Sequence, residues 1–190
     1  MNTHKKETAK ERILRTAVRL FYREGVRAVG IDRIIEESGV AKASFYRNFA
    51  TKDDLVVAYL ERCKEALMKP FEEAARRHPE APLDQLYEVV DRMAERSEQP
   101  GYRGCPFLNT AVEFPDESHP SQRPIATYHQ EMRRRLGEMA GQAGAKDPEA
   151  LSAQLLMLYN GAMMSAYLER AAYIPEHFLR AAKRLIQQQI

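Results

Sequence analysis

The sequence predicts an all-α protein of about nine helices, on three observations. Apolar residues recur at three- and four-residue steps along nearly the whole chain. No segment alternates apolar and polar residues as a half-buried strand does. The breaks between periodic segments carry helix caps, glycines and prolines.

The elements follow in order. Thr8 with Glu11 reads as a capping box, and Ala9, Ile13, Ala17, Leu20 and Phe21 form the apolar stripe of a first helix that Gly25 ends. Ile31, Ile34 and Ile35 mark a short second helix closed by Gly39, and Val40 leads into a third with Phe45 and Phe49 inward. Thr51, with Asp53 and Asp54 behind it, caps a long fourth helix whose inner face carries Leu55, Tyr59, Cys63 and Leu67, and Pro70 is expected to kink or end it. Leu83, Leu86, Tyr87, Val90, Met93 and Ala94 define a fifth helix entered through Pro82. The break QPGYRGCPF precedes a short sixth helix around Leu108 to Phe114, and Pro115, Pro120 and Pro124 punctuate the loop behind it. Ile125, Tyr128, Met132, Leu136 and Met139 stripe a seventh helix. Asp147 followed by Pro148 opens an eighth that runs to about Arg170, and Pro175 opens a ninth with Ile174, Phe178, Ala182, Leu185 and Ile186 inward.

A chain of 190 residues holds one large domain or two small ones, and 44% hydrophobic with 29% charged residues is the balance of a soluble globular protein. The charged N-terminus lacks the apolar core of a signal peptide, and runs such as Leu155 to Tyr159 are far too short to span a bilayer. A cytoplasmic setting with no membrane partner is expected. The N-terminal quarter is net basic and the remainder mildly acidic, which points to an anionic partner at one end, nucleic acid first.

Two helices of about two turns joined through Gly39 read as a helix-turn-helix, the second presenting its polar side outward. A helix of that size fits the major groove. Lys42 can donate to guanine, Ala43 can pack on a thymine methyl, and Ser44 can serve base or phosphate. Tyr46 and Lys52 suit phosphate oxygens, Arg47 suits either, and Asn48 can make a bidentate contact with adenine. The plainer reading is a wet surface helix of a helical bundle.

The run GVAKASFYRNFATKDDL resembles the recognition-helix signature of TetR-type transcriptional regulators, Gly-Val-Ser-Lys-Gly-Thr-Leu-Tyr-x-His-Phe-x-x-Lys-x-x-Leu, at Gly39, Val40, Lys42, Tyr46, Phe49, Lys52 and Leu55. Leu20, Phe21 and Gly25 resemble the family's first helix. The resemblance implies a DNA-binding domain over residues 8–67, with its recognition motif at 30–49, and an effector and dimerisation domain over 68–190. Ala41 stands where the family has a capping serine, Gly30 where it often has threonine or serine, and Asn48 where it has histidine.

No phosphate loop, Ser–base arrangement or Cys/His cluster of metal spacing is visible, so neither an enzyme nor a metal or cofactor is expected. His4, His78, His119, His129 and His177 are scattered, and a structural role is the expectation for His129. Cys63 reads as a small core residue, while Cys105, at the start of the sixth helix, raises the alternative of a redox-responsive regulator. Cys105, Asn109 and Glu113 fall at four-residue steps. Asn109 and Glu113 either tie the sixth helix to neighbouring backbone, or line the effector pocket that the resemblance implies. That pocket would hold Cys105, Phe107, Asn109 and Glu113 on one side, and Tyr87, Val90, Met93, Asn160, Met163, Met164 and Tyr167 on the other. Adjacent Met163 and Met164 suit a pliable apolar cavity and a small hydrophobic or amphipathic ligand. The apolar faces Leu151, Leu155, Leu158, Tyr159, Ala162, Ala166 and Phe178, Ala182, Leu185, Ile186 exceed one core stripe per helix, so a homodimer through helices eight and nine is expected. The expected whole is a homodimeric repressor that binds a palindromic DNA operator and is released by a small-molecule effector; the alternative is an architectural DNA binder with no effector.

Overall fold

The computed structural model describes residues 7–190, so His4 lies outside it. The described residues form nine α-helices, two single-turn 3-10 segments and no strand: α1 (Ala9–Glu24), α2 (Ile31–Ser38), α3 (Lys42–Asn48), α4 (Lys52–Arg77), α5 (Pro82–Glu95), α6 (Pro106–Glu113), α7 (Gln122–Gln142), α8 (Pro148–Glu169) and α9 (Pro175–Gln189). The chain folds as two compact units. One gathers the chain as far as Lys64 together with Pro106–Ile125; the other holds Glu65–Cys105 and Ala126–Ile190. The sequence suggests a single boundary after residue 67. In the compact units, α6 and the following loop group with the N-terminal residues.

In the first unit, α1 begins where expected. The Thr8 hydroxyl accepts the Glu11 amide at 3.2 Å, and the Glu11 carboxylate accepts the Thr8 amide at 2.8 Å. Its inward face, Ile13, Ala17, Leu20 and Phe21, packs with α2 and α3. Gly39 ends α2 in the left-handed region at φ 62°, where a Cβ would be strained. The Arg12 guanidinium donates to the Gly39 carbonyl at 3.3 Å and so ties α1 to the turn between α2 and α3. Thr51 and Asp54 reciprocally cap α4, with amide-to-oxygen distances of 2.9 and 3.1 Å. Phe21 meets Tyr59 edge-on at 5.5 Å, and Phe45, Phe49, Leu55 and Val56 complete a closed core.

Pro70 does not end α4, and Pro124 stands elsewhere than expected. α4 continues through Pro70 to Arg77. The carbonyl that Pro70 leaves without its donor belongs to Ala66, which is exposed to water, while buried Met68 and Phe71 hold the helix on its inner side. Pro124 lies inside the first turn of α7 rather than in the loop, a position where amides lack an intrahelical acceptor anyway. α6 starts two residues earlier than the apolar pattern suggests, at Pro106.

The second unit is built on α5, α7, α8 and α9, with α9 packed against both α5 and α8. Pro82 stands in the first turn of α5, and buried Gln85 donates to the His78 carbonyl at 2.6 Å. Asp147 caps α8 by accepting the Ala150 amide at 2.9 Å. Cys63 is half-buried rather than a core residue, as is Leu67 on the same face of α4, and Ile174, expected inward, is the exposed N-cap of α9.

Candidate nucleic-acid interface

α3 is a helix of seven residues without a side-chain cap, so packing and not intrinsic propensity holds it. Ala41 at its N-cap makes no side-chain hydrogen bond, and neither does Gly30 at the start of α2, as their side chains dictate. The apolar anchors are complete: Phe45 is fully buried and Phe49 nearly so, their rings 6.3 Å apart. With those two residues inward, Lys42, Ala43, Tyr46 and Arg47 are exposed, and Ser44 is half-buried. The Tyr46 ring stands edge-on to Phe45 at 5.4 Å, and the residue is 44% exposed.

Two polar side chains of this face, Lys42 and Asn48, are held by internal partners. Lys42 Nζ is 3.1 Å from Asp32 Oδ1, and that hydrogen bond raises the lysine above its ordinary pKa. Both groups are exposed, so the pair is weak and exchangeable. Asn48 Nδ2 donates to the Ser44 carbonyl at 2.8 Å, so a contact to adenine requires that bond to be exchanged. Lys52, in the first turn of α4, is half-buried; burial lowers its pKa, and the charges of Glu113 and Asp53 oppose that shift. Behind α3, Arg33 bridges α1 and α2 by donating to Glu24 at 2.9 Å and to Glu37 at 2.8 Å.

The sequence pattern missed what α6 does to this unit. Glu113 accepts the backbone amides of Val26 and Arg27 at 3.0 and 2.7 Å. Of the two roles open to Glu113, this is the tie to neighbouring backbone. The Arg27 guanidinium lies 5.1 Å from the Phe114 ring, which stacks on His119 at 4.1 Å. His119 Nε2 stands 3.5 Å from Asp53 Oδ1. None of this was legible as a contact, because Val26 and Glu113 are far apart in the chain.

In the second unit, Tyr159, Met163 and Tyr167 follow one another at four-residue steps along α8. The segment between α5 and α6 is fastened to that row. Arg96 donates to the Tyr159 hydroxyl at 3.4 Å, the Tyr102 hydroxyl donates to the Met163 carbonyl at 3.2 Å, and the Arg103 guanidinium lies 5.6 Å from the Tyr167 ring. Val90, Met93 and Met163 are buried, Tyr87, Asn160 and Tyr167 half-buried, and Met164 is exposed. The adjacent methionines therefore differ in burial, Met163 turned into the unit and Met164 towards solvent. Phe107 is buried and Asn109 half-buried in the first unit, and Cys105 of the second unit is 5% exposed. Among the described residues no group of His, Cys, Asp and Glu could hold a metal ion, and no helix is long and apolar enough to cross a membrane.

The apolar faces expected at a dimer contact are largely internal. Leu151, Leu155, Tyr159, Ala166, Phe178, Ala182 and Ile186 are buried within the single chain, and Leu158, Ala162 and Leu185 half-buried. The physical reason is that α8 packs against α9, with Tyr159 and Phe178 6.2 Å apart, so the row through Tyr159 already has a partner. A different stripe of α8 stays uncovered: Met157, Gly161, Met164 and Leu168, with side chains 67%, 49% and 69% exposed at the three larger residues. Its four-three-four spacing is visible in the sequence, but a helix apolar nearly all round gives no periodic contrast from which to choose it.

Comparison with known proteins places this geometry. Residues 13–59 match the family described as "Bacterial regulatory proteins, tetR family", and residues 82–182 match "Tetracyclin repressor-like, C-terminal domain". A TetR-family transcriptional regulator from Streptomyces coelicolor is 35% identical, with a TM-score of 0.89 over 95% of each chain. A TetR transcriptional regulator from Chloroflexus aurantiacus is 25% identical, with a TM-score of 0.83 and the same coverage. The transcriptional regulator AcuR of Cereibacter sphaeroides is 28% identical over 170 residues, 85% of this chain and 77% of that protein. The chain therefore belongs to the TetR family of bacterial transcriptional regulators, DNA-binding proteins rather than enzymes.

Proposed function

We propose that the protein is a homodimeric repressor of the cytoplasm that binds a palindromic operator through α3 and is released by a small hydrophobic or amphipathic effector. The observation that carries the DNA reading is the division of α3, with Phe45 and Phe49 buried and Lys42, Ala43, Tyr46 and Arg47 left outward. Lys42, Ala43 and Asn48 read base edges, Tyr46 and Lys52 hold phosphates, and Ser44 and Arg47 serve either. Contrasting two lysines tests the assignment. Lys42→Ala should relax preference at one or two base positions, whereas Lys52→Ala should weaken binding to every duplex and reduce the salt slope by about 1. Unchanged binding by Lys52→Ala to every duplex would refute the register.

The dimer forms through the exposed stripe of α8. Gly161 at its centre has open space where a Cβ would stand, which allows a second helix to approach closely. The stripe's apolar spacing is that of a helix-packing seam, and pairing α8 and α9 with their copies makes a four-helix bundle.

The effector site is assigned to the second unit, around Val90, Met93, Met163 and Tyr167, under the strap formed by Arg96, Tyr102 and Arg103. Apolar side chains beside arginine and tyrosine groups suit an amphipathic ligand. Displacing the strap would pull on α6, which follows it directly in the chain. A second reading, a DNA binder with no effector, is favoured by the burial of Val90, Met93 and Met163. Met163→Trp separates the two. On the effector reading it binds operator and ignores a compound that releases the wild type; on the other, no compound releases either protein.

A further inference from the structure

The turn between α1 and α2 lacks a side-chain cap of its own: Gly25 ends α1 and Gly30 begins α2. Its two amides at Val26 and Arg27 are instead taken by the Glu113 carboxylate from the end of α6. A carboxylate that accepts two backbone N–H groups makes charge-assisted bonds, among the stronger contacts available to a loop. The turn is shaped to admit it. Gly25 has φ 94°, and a Cβ built there would stand 3.1 Å from Glu113 Oε1, so a larger residue would crowd the carboxylate. Phe114 reinforces the junction. Arg27 covers one ring and His119 stacks on it, and Gln122 donates to the Phe114 carbonyl at 2.6 Å.

We infer that Glu113 is a positioning residue for DNA reading, a carboxylate latch through which α6 holds the α1–α2 turn and so sets the angle at which α2 carries α3. The inference rests on α1–α3 being the DNA-reading unit. Its consequence is that α6, which lies in the same compact unit as α3, acts on the recognition helix by a route separate from the long helix α4. Moving α6 withdraws the carboxylate from the two amides and frees the turn.

Electrostatics alone predicts the opposite of positioning, and the experiment uses that. Deleting a negative charge from a DNA-binding unit should tighten binding to any duplex. If Glu113 positions the turn, Glu113→Ala should instead bind a duplex selected by the wild-type protein on the order of tenfold more weakly, the worth of one charge-assisted hydrogen bond. Affinity for a scrambled duplex should hold or rise, and the salt slope should stay unchanged because Glu113 touches no phosphate. Glu113→Gln, which keeps one acceptor, should fall between the two and carries the test if the alanine variant fails to fold. Amide hydrogen exchange of the full chain should show Val26 and Arg27 losing protection while the core amides of α1 and α3 keep theirs. Equal or tighter binding of the selected duplex by both variants, or undiminished protection at Val26 and Arg27, would overturn the inference while leaving the DNA reading intact. A wild-type protein that selects no duplex would remove the DNA reading and this inference with it.

Discussion

α3 and α8 are both part-exposed helices, yet they leave opposite chemistry uncovered. α3 is short, spends its two aromatic residues on the core and presents lysine, arginine and tyrosine to solvent. α8 is three times as long, fills its own core row from Leu151 to Ala166, and still shows Met157, Met164 and Leu168 to water. A polar face on a well-anchored short helix needs no second protein chain, and it fits the groove of a polyanion. An apolar stripe on a well-packed long helix stays costly until another surface covers it. On the proposed function the two units meet different partners: the polar face of α3 takes DNA, and the apolar stripe of α8 takes a second copy of the chain.

The largest expected effect would break the anchoring of α3. Phe45→Ala should cost about 3–5 kcal/mol by leaving a cavity in a core with no slack, and denaturant unfolding would measure it. Met164→Ala, on the exposed stripe of α8, should change single-chain stability by no more than ~0.5 kcal/mol. The second effect acts on that stripe without touching the fold. Leu168→Glu places a charge in the proposed contact and should shift the protein towards a single-chain mass at micromolar concentration in sedimentation, weakening operator binding because each half-site is then held alone. A smaller effect sharpens the electrostatic side of α3. Asp32→Asn frees Lys42 from its exposed partner and should strengthen DNA binding by no more than about fivefold at low salt, a gain that fades as salt rises.

The smallest belongs to the second unit. Burial holds His129 below its ordinary pKa of 6.5, so the folded chain favours the neutral ring. As pH falls through 6.5, the unfolded chain takes up a proton first and stability declines towards the lower folded value. His129→Gln should flatten part of that decline, which urea midpoints at about pH 7.5 and about pH 5.5 would show.

Much of the fold was legible because its signals are local. Thr8–Glu11, Thr51–Asp54 and Asp147–Pro148 each announce a helix within a few residues, and each is found in place. The candidate DNA-reading face was legible for the same reason: seven residues at helical spacing decide which side Phe45 and Phe49 occupy. What escaped depends on packing between distant segments. Periodicity shows that Glu113 shares a face with Asn109, and cannot show that its carboxylate meets the amides of Val26 and Arg27. Nor can it decide which apolar row of α8 finds α9, because nearly every row of that helix is apolar. The continuation of α4 through Pro70 depends on the exposure of Ala66, a property of the folded chain.

The proposed function requires that α3, presented twice by a symmetric dimer, reads DNA. Selection of purified protein against a pool of random duplexes tests it most directly. The predicted result is an enriched palindrome whose half-sites are about one helical turn (~34–36 Å) apart or wider, bound with two chains or a multiple of two, and lost in Arg47→Ala with Lys42→Ala. Recovery of sequences no more related than the starting pool, or of a non-repeating site bound by a single chain, would contradict it.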